Sequence, residues 1–299
     1  MKTLNFPCII SNPTAVALGR FDGVHLAHRE VISRAVNNSE NLTPAVFTFC
    51  DNPGKAPHSL LTSAEEKSEQ IAALGAEILV NTPFESVRNL SAEEFVNDVL
   101  SGALNAKAVY CGYNYRFGKG ASADVGTLHN LCKKRGISVT CTEEVYCNEH
   151  SVSSTAIRAL LYEGNVDTAA ALLGRNYSLS GEIVHGNALG RTIEIPTLNI
   201  DVPEEKQLPL YGVYATLATI DDRTYKSITN IGVKPTIGSD KPTVETYLLE
   251  AQGDFYSRTA KVELVKFLRK EQKFASLEEL RKVISSDIQN ATEILSQQK

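Results

Sequence analysis

His25 and His28, three residues apart, are the first side chains in this sequence whose types and spacing could do chemistry. They follow Gly19-Arg20-Phe21-Asp22-Gly23-Val24, itself preceded by the short apolar run Ala15-Val16-Ala17-Leu18, which predicts a buried strand. After them Val31, Ile32, Ala35 and Val36 recur with helical spacing. Gly19 and Gly23 allow a tight strand-to-helix turn and close approach of backbone to a ligand. On the first turn of the helix the two imidazoles would share a face. Free backbone N–H groups and the positive end of the helix dipole there favour a phosphate. The stretch therefore predicts a nucleotide-polyphosphate site formed by Gly19, Phe21, Asp22, Gly23, His25 and His28. Ordinary surface or core histidines are the plain alternative. Zinc is a weaker one, because no further His or Cys stands nearby at ligand spacing.

Two later stretches point the same way. Gly112-Tyr113-Asn114-Tyr115-Arg116-Phe117-Gly118-Lys119-Gly120 follows the apolar run Ala108-Val109-Tyr110-Cys111 and falls just short of a phosphate-cradling P-loop, with Gly120 where Ser or Thr would bind magnesium. It reads as a glycine-bounded loop carrying Arg116 and Lys119. Val152-Ser153-Ser154-Thr155-Ala156-Ile157-Arg158 opens a helix with successive hydroxyls and an arginine one turn in. That pattern suits the outer phosphates of a nucleotide, and equally suits a simple helix cap.

Positioning these residues requires a scaffold, and the sequence alternates strand-like and helix-like pieces as far as residue 173. Ala45–Phe49, Ile78–Val80, Ala108–Cys111 and Ile137–Thr140 predict strands. Capping boxes at Ser63-Ala64-Glu65-Glu66 and Ser91-Ala92-Glu93-Glu94 predict helix starts between them. Strands separated by helices imply a parallel sheet, with ligands beyond the carboxyl ends of its strands. After Gly174 the pattern changes to Tyr177–Ser180, Glu182–Val184, Tyr214–Ile220, Val244–Leu248 and Lys261–Val265, punctuated by Gly and Pro. This predicts an antiparallel β-barrel closed by one terminal helix, opened by a third capping box at Ser276-Leu277-Glu278-Glu279. The expected domains are 1–174 and 175–299.

The 299 residues are enough for about two cores. A formal charge of −5 argues against nucleic acid or an anionic membrane as partner. Six cysteines without a Cys-x-x-Cys pair suit reduced thiols, and no apolar run approaches membrane-spanning length. A cytoplasmic protein acting on small molecules is expected.

The ordered set Gly-x-Phe-Asp-Gly-Val-His-x-x-His, Gly-x-Asn-Tyr-Arg-Phe-Gly and Ser-Ser-Thr-x-Ile-Arg resembles the adenylyltransferase module of bacterial bifunctional riboflavin kinase/FAD synthetases. The second half continues the resemblance. Leu173–Tyr177 is similar to the family's junction. Gly181-Glu182-Ile183-Val184-His185-Gly186, Gly190-Arg191 and Pro196-Thr197-Leu198-Asn199 resemble its kinase signature. Asn230–Thr236, Glu245 and Leu268–Phe274 follow in the family's order. The resemblance implies a Rossmann-like nucleotidyltransferase domain followed by a riboflavin kinase barrel. It implies riboflavin and ATP giving FMN, then FMN and ATP giving FAD and pyrophosphate, with Mg2+ required.

Carried over residue by residue, it implies that His25 and His28 stabilise charge during adenylyl transfer. Asn114, Arg116, Ser153, Ser154, Thr155 and Arg158 would bind nucleotide or flavin phosphates. In the kinase module Gly186, Gly190 and Arg191 would bind nucleotide, Thr197 and Asn199 magnesium, and Arg269 flavin. Glu245 would be the general base. Ala27 and Glu194 stand where the family usually carries glycine, and Lys234 where it carries arginine. Negative charge at Glu194 favours one alternative, an enzyme that forms FAD alone; a non-catalytic flavin- or nucleotide-binding protein is the other.

Overall fold

The fold is that of a computed structural model describing residues 1–38, 41–51, 59–185, 196–233, 242–249, 251 and 253–297. Contacts divide the chain into two units, the first reaching Ser154 and the second running from Thr155 and also taking in Ser59. The expected domain edge, residue 174, lies one helix pair later than this division. Gly174 is itself the left-handed C-cap of the second of those helices, a conformation that costs glycine little.

The first unit is built on β1 (Lys2–Asn5), β2 (Thr14–Leu18), β3 (Thr43–Phe49), β4 (Ile78–Thr82), β5 (Ala106–Gly112) and β6 (Ser138–Thr142). They form one sheet in the order β1-β4-β3-β2-β5-β6, with every pairing parallel. Parallel strands need crossovers. These are supplied by α1 (Leu26–Val36), α2 (Ala64–Ala73), α3 (Ala92–Glu94) running into a π-helix (Phe95–Ala103), and α4 (Val125–Lys133). The boxes at Ser63 and Ser91 form with both reciprocal hydrogen bonds, as expected. β2 is buried at every position, as a strand covered on both faces must be. Val16 and Leu18 join one core and Ala17 the other, following the two-residue period of the strand. The polar edge strand β1 carries no such pattern and was not expected; pairing to β4 creates it.

From β2 the chain steps outward to β3 and β4, then returns to lay β5 on the opposite side of β2. The reversal makes the carboxyl ends of β2 and β5 the switch point of the sheet, the position where such sheets bind ligands. The turn carrying His25 follows β2 and the loop carrying Asn114 and Arg116 follows β5. A short hairpin, β7 (Tyr146–Cys147) and β8 (His150–Ser151), comes next in the chain.

The second unit contains α5 (Ser154–Tyr162) from its second residue on, α6 (Val166–Leu173) and a closed antiparallel barrel, then α7 (Leu277–Ser296). Its strands are β9 (Tyr177–Val184), β10 (Leu198–Asp201), β11 (Gly212–Ile220), β12 (Arg223–Val233), β13 (Pro242–Leu248) and β14 (Thr259–Lys270), in the order β10-β13-β12-β11-β14-β9 with β9 closing on β10. The interior is partly polar. Thr216, Ser227, Thr229 and Thr246 are fully buried, and their hydroxyls form a chain with O···O distances of 2.8, 2.8 and 2.9 Å. This explains why β12 did not stand out in the sequence: its inward residues include Ser227 and Thr229, so the apolar-in alternation is broken.

Helix α7 covers the outside of the barrel through Ala291 and Leu295 against Val213, Ala215, Ile228 and Val265. Its Ser276 caps Glu279 as expected, but the Glu279 carboxylate reaches back to the Ala275 N–H rather than to that of Ser276. Among the described residues no helix is long and apolar enough to cross a membrane.

Candidate active sites

The β2–α1 turn is strained where chemistry was expected. Phe21 and Val24 have positive φ of 51° and 40° alongside Gly23 at 89°. For a β-branched valine that is a true outlier, and such strain persists only where surrounding structure imposes it. Gly19 is obligatory here, because a Cβ on it would lie 2.8 Å from the buried Phe21 ring. Asp22 is buried, and its Oδ1 accepts from the N–H groups of Leu61 (2.8 Å) and Thr62 (3.4 Å), while the Gly23 N–H donates to Thr62 Oγ1 (3.1 Å). These bonds hold the turn against the approach to α2.

His25 is the N-cap of α1 rather than a residue of its first turn: it is extended, at φ −72° and ψ 174°, and its Nδ1 accepts from the His28 N–H at 3.4 Å. The ring nitrogen takes the part usually played by a Ser or Asp oxygen. The two rings therefore stack, with centroids 3.5 Å apart and planes 17° from parallel. With Nδ1 an acceptor, the proton of a neutral His25 lies on Nε2, which becomes the ring's donor. The N–H groups of Leu26 and Ala27 have no acceptor among the described residues, as the first turn of a helix leaves them. This is the arrangement that receives an anion.

Tyr113 and Arg116 flank Asn114 on the exposed loop after β5. Glu144 ties that loop to the hairpin, since its carboxylate accepts from Ser151, Tyr146 and Tyr113. Those bonds, that of Ser151 foremost, hold the Glu144 carboxyl below its usual range. Beyond the hairpin, Ser153 and Ser154 lead into α5. Ser154 Oγ donates to the Asp22 carbonyl at 2.8 Å, so the start of α5 is fastened to the histidine turn. Thr155 follows exposed, and Arg158, one turn along the helix, donates through Nε to the Ser59 carbonyl at 2.7 Å.

One basic residue of the first unit was missed. Lys67 of α2 donates from Nζ to the carbonyl of Phe49, the last residue of β3, at 2.6 Å. Burial pushes its ammonium below the ordinary lysine range, opposed by the nearby Asp22 carboxylate. Its sequence position, just past a capping box, carries no sign of this.

In the barrel the chemistry lies on strands. Asn199 of β10 is register-paired with Glu245 of β13, which is paired on its other side with Asn230 of β12. Directly opposed residues share a face at about 5 Å between Cβ atoms. Thr197 lies one residue before β10, next in the chain to its first residue, Leu198. Asn230, whose residue type in the sequence signals no function, completes the row and donates from Nδ2 to Glu271 Oε1 at 3.3 Å. Arg269 is engaged elsewhere. Its Nε and Nη2 grip the Asp287 carboxylate of α7 at 2.8–3.1 Å, and its Nη1 donates to the Lys270 carbonyl at 3.1 Å. A cavity of about 650 Å³ opens in the same unit, lined among others by Tyr162, Lys206, Tyr211 and Val244. Gly186, Gly190, Arg191, Glu194 and Lys234 lie outside the described residues.

Magnesium suits oxygen donors: Asn199 and Glu245 offer an amide carbonyl and a carboxylate on paired strand positions, and Thr197, just before β10, offers a hydroxyl. The described residues contain no cluster of His, Cys, Asp and Glu of the kind that holds a transition metal. All six cysteines are free thiols.

Comparison with known proteins bears on both sites. A family model described as FAD synthetase matches residues 9–156, and one described as riboflavin kinase matches residues 173–295. The bifunctional riboflavin kinase/FMN adenylyltransferase of Bacillus subtilis (strain 168) is 34% identical over 296 residues, covering 95% of this chain and 93% of that protein. The protein of the same description from Escherichia coli (strain K12) is 34% identical over 289 residues, covering 93% and 91%. A solved structure described as a macrolide-efflux protein from Streptococcus pneumoniae superposes with a TM-score of 0.89 at 27% identity, covering 97% of this chain and 98% of that one.

Proposed function

The chain belongs to the bifunctional riboflavin kinase/FMN adenylyltransferase family, and on that premise we propose which of its residues carry each reaction. The enzyme forms FMN from riboflavin and ATP, and FAD and pyrophosphate from FMN and ATP. One feature of each matched segment supports the assignment: His25 caps α1 beside the N–H groups of its first turn in one, and Asn199 is register-paired with Glu245 in the other.

In adenylyl transfer an FMN phosphate oxygen attacks the α-phosphorus of ATP and the bond to the β-phosphate oxygen breaks. Negative charge grows on the α-phosphoryl oxygens and the leaving pyrophosphate. His25, donating from Nε2, and His28 stabilise that charge, with the N–H groups of Leu26 and Ala27 aimed alongside. Ser153, Ser154, Thr155 and Arg158 hold the outer phosphates; Asn114 and Arg116 orient nucleotide and flavin. Gly19, Phe21, Asp22 and Gly23 shape the turn.

In the kinase reaction Glu245 accepts the proton of the ribityl hydroxyl as that oxygen attacks the γ-phosphorus. Thr197 and Asn199 would hold magnesium, which would neutralise charge on the nucleotide phosphates. Asn230 stands beside Glu245 on the neighbouring strand, its amide bonded to Glu271. Gly186, Gly190 and Arg191 contact the nucleotide. Arg269 fixes α7 through Asp287 and so acts on the flavin as a positioning residue. Six free thiols support a reducing, cytoplasmic setting with small-molecule partners.

A product assay with ATP and magnesium tests this reading. Riboflavin should yield FMN and then FAD, and supplied FMN should yield FAD. FAD from FMN alone would assign the barrel no kinase activity. Bound flavin without turnover would leave a binding protein.

A further inference from the structure

Resting on the adenylyl-transfer reading above, we propose that Lys67 binds the phosphate of FMN, the attacking group, and is the residue by which the first unit distinguishes FMN from riboflavin. Three observations place it there. Its Nζ lies 2.6 Å from the carbonyl of Phe49, the last residue of β3, so the ammonium stands at the carboxyl edge of the sheet, where ligands bind. That edge is joined to the histidine turn, because the Thr48 hydroxyl donates to the Arg20 carbonyl at 2.9 Å and the Gly19 N–H to the Phe47 carbonyl at 3.4 Å. Finally, an ammonium has three donors, and among the described residues Lys67 uses one.

The one hydrogen bond of the half-buried ammonium among the described residues goes to a neutral carbonyl, while Asp22, Cys50 and Asp51 act on it through space; its remaining donors suit a phosphate. FMN differs from riboflavin only in that group, which carries close to two negative charges. Asp22 lies close enough to attract the ammonium, yet its Oδ1 is engaged by the N–H groups of Leu61 and Thr62. Arg20 adds further positive charge to the same edge. The histidines and the Ser153–Arg158 segment are assigned to ATP, so the nucleophile needs its own cation. Lys67 supplies one without entering the bond changes: the phosphate oxygen attacks, pyrophosphate leaves, and no proton is transferred to or from the ammonium.

The test is steady-state FAD formation by the full-length chain and its Lys67→Met and Lys67→Arg variants. Inhibition by riboflavin, and riboflavin phosphorylation by the same preparations, are measured alongside. For Lys67→Met the KM for FMN should rise about 10- to 100-fold, as expected for loss of a charge-assisted hydrogen bond. The KM for ATP, the inhibition constant of riboflavin and the kinase rate should stay within about twofold. Lys67→Arg should recover part of the FMN affinity, because it keeps the charge. An unchanged KM for FMN overturns the proposal. So does a parallel loss for FMN, riboflavin and ATP, which would make Lys67 a prop for the Phe49 carbonyl. If the unaltered chain forms no FAD, the adenylyl-transfer reading itself fails, a result distinct from either.

Discussion

The two units place their chemistry on opposite kinds of structure. In the parallel-sheet unit the reactive side chains stand on connections: the turn after β2, the loop after β5 and the step from the hairpin to Ser154. They are held by individual side-chain devices: a histidine N-cap, the buried Asp22 carboxylate, the Ser154 bond to the Asp22 carbonyl and a carboxylate gathering three hydroxyls. In the barrel the reactive row Asn199–Glu245–Asn230 stands on three strands and is brought together by their register. A loop site can be altered one residue at a time. A register site fails as a whole, because a slip of one residue turns every side chain to the other face.

The largest effects should separate the units by activity. Glu245→Gln should lower FMN formation by about 10²- to 10⁴-fold while FAD formation from supplied FMN persists. His28→Ala should do the reverse, lowering FAD formation by about 10²- to 10³-fold. Initial rates of both reactions on one preparation decide it; a variant that loses both would mean the sites are not independent.

Next comes the closure of the barrel. A Cβ at Gly181 of β9 would lie 2.1 Å from the Asp201 carbonyl oxygen of β10, a backbone atom that cannot step aside. Gly181→Ala should destabilise the barrel by about 1–3 kcal/mol or more, seen as earlier thermal loss of kinase activity with FAD formation retained. Equal loss of the two activities would contradict the division.

Removing a link from the interior hydroxyl chain should cost less. Thr229→Val leaves Thr216 and Thr246 each without one partner, at about 1–3 kcal/mol. The denaturant midpoint should fall without a change in its slope; no shift would mean that the chain does not pin the register. Smallest of all should be Lys266→Met. It breaks an ion pair with Asp167 whose side chains are 48% and 50% exposed, worth under about 1 kcal/mol. A melting point close to that of the unaltered chain is expected, and a large drop would show that α6 is held to β14 by charge rather than by packing.

Legibility followed the same divide. Strands β2, β3 and β5, the boxes at Ser63 and Ser91 and the histidine turn could be read directly, because local patterns create them. β12 was hidden by Ser227 and Thr229, polar residues turned inward where a half-buried strand is expected to be apolar. The rings of His25 and His28 were placed on one helical face and instead stack through a cap, since spacing does not reveal which residue begins a helix. Lys67 stayed out of sight because its partner, the Phe49 carbonyl, lies 18 residues away in the chain.

By itself, then, the sequence determined the kinds of element, their order and the residue types that each reaction requires, all of which depend on neighbours within a few positions. Only the tertiary structure decided which of those residues meet. The pairing of Glu245 with Asn199 and Asn230, the grip of Arg269 on Asp287 and the seat of Lys67 at the end of β3 depend on strand order and register. Those are settled by burial summed over the whole sheet or barrel, and no short stretch of chain contains that sum.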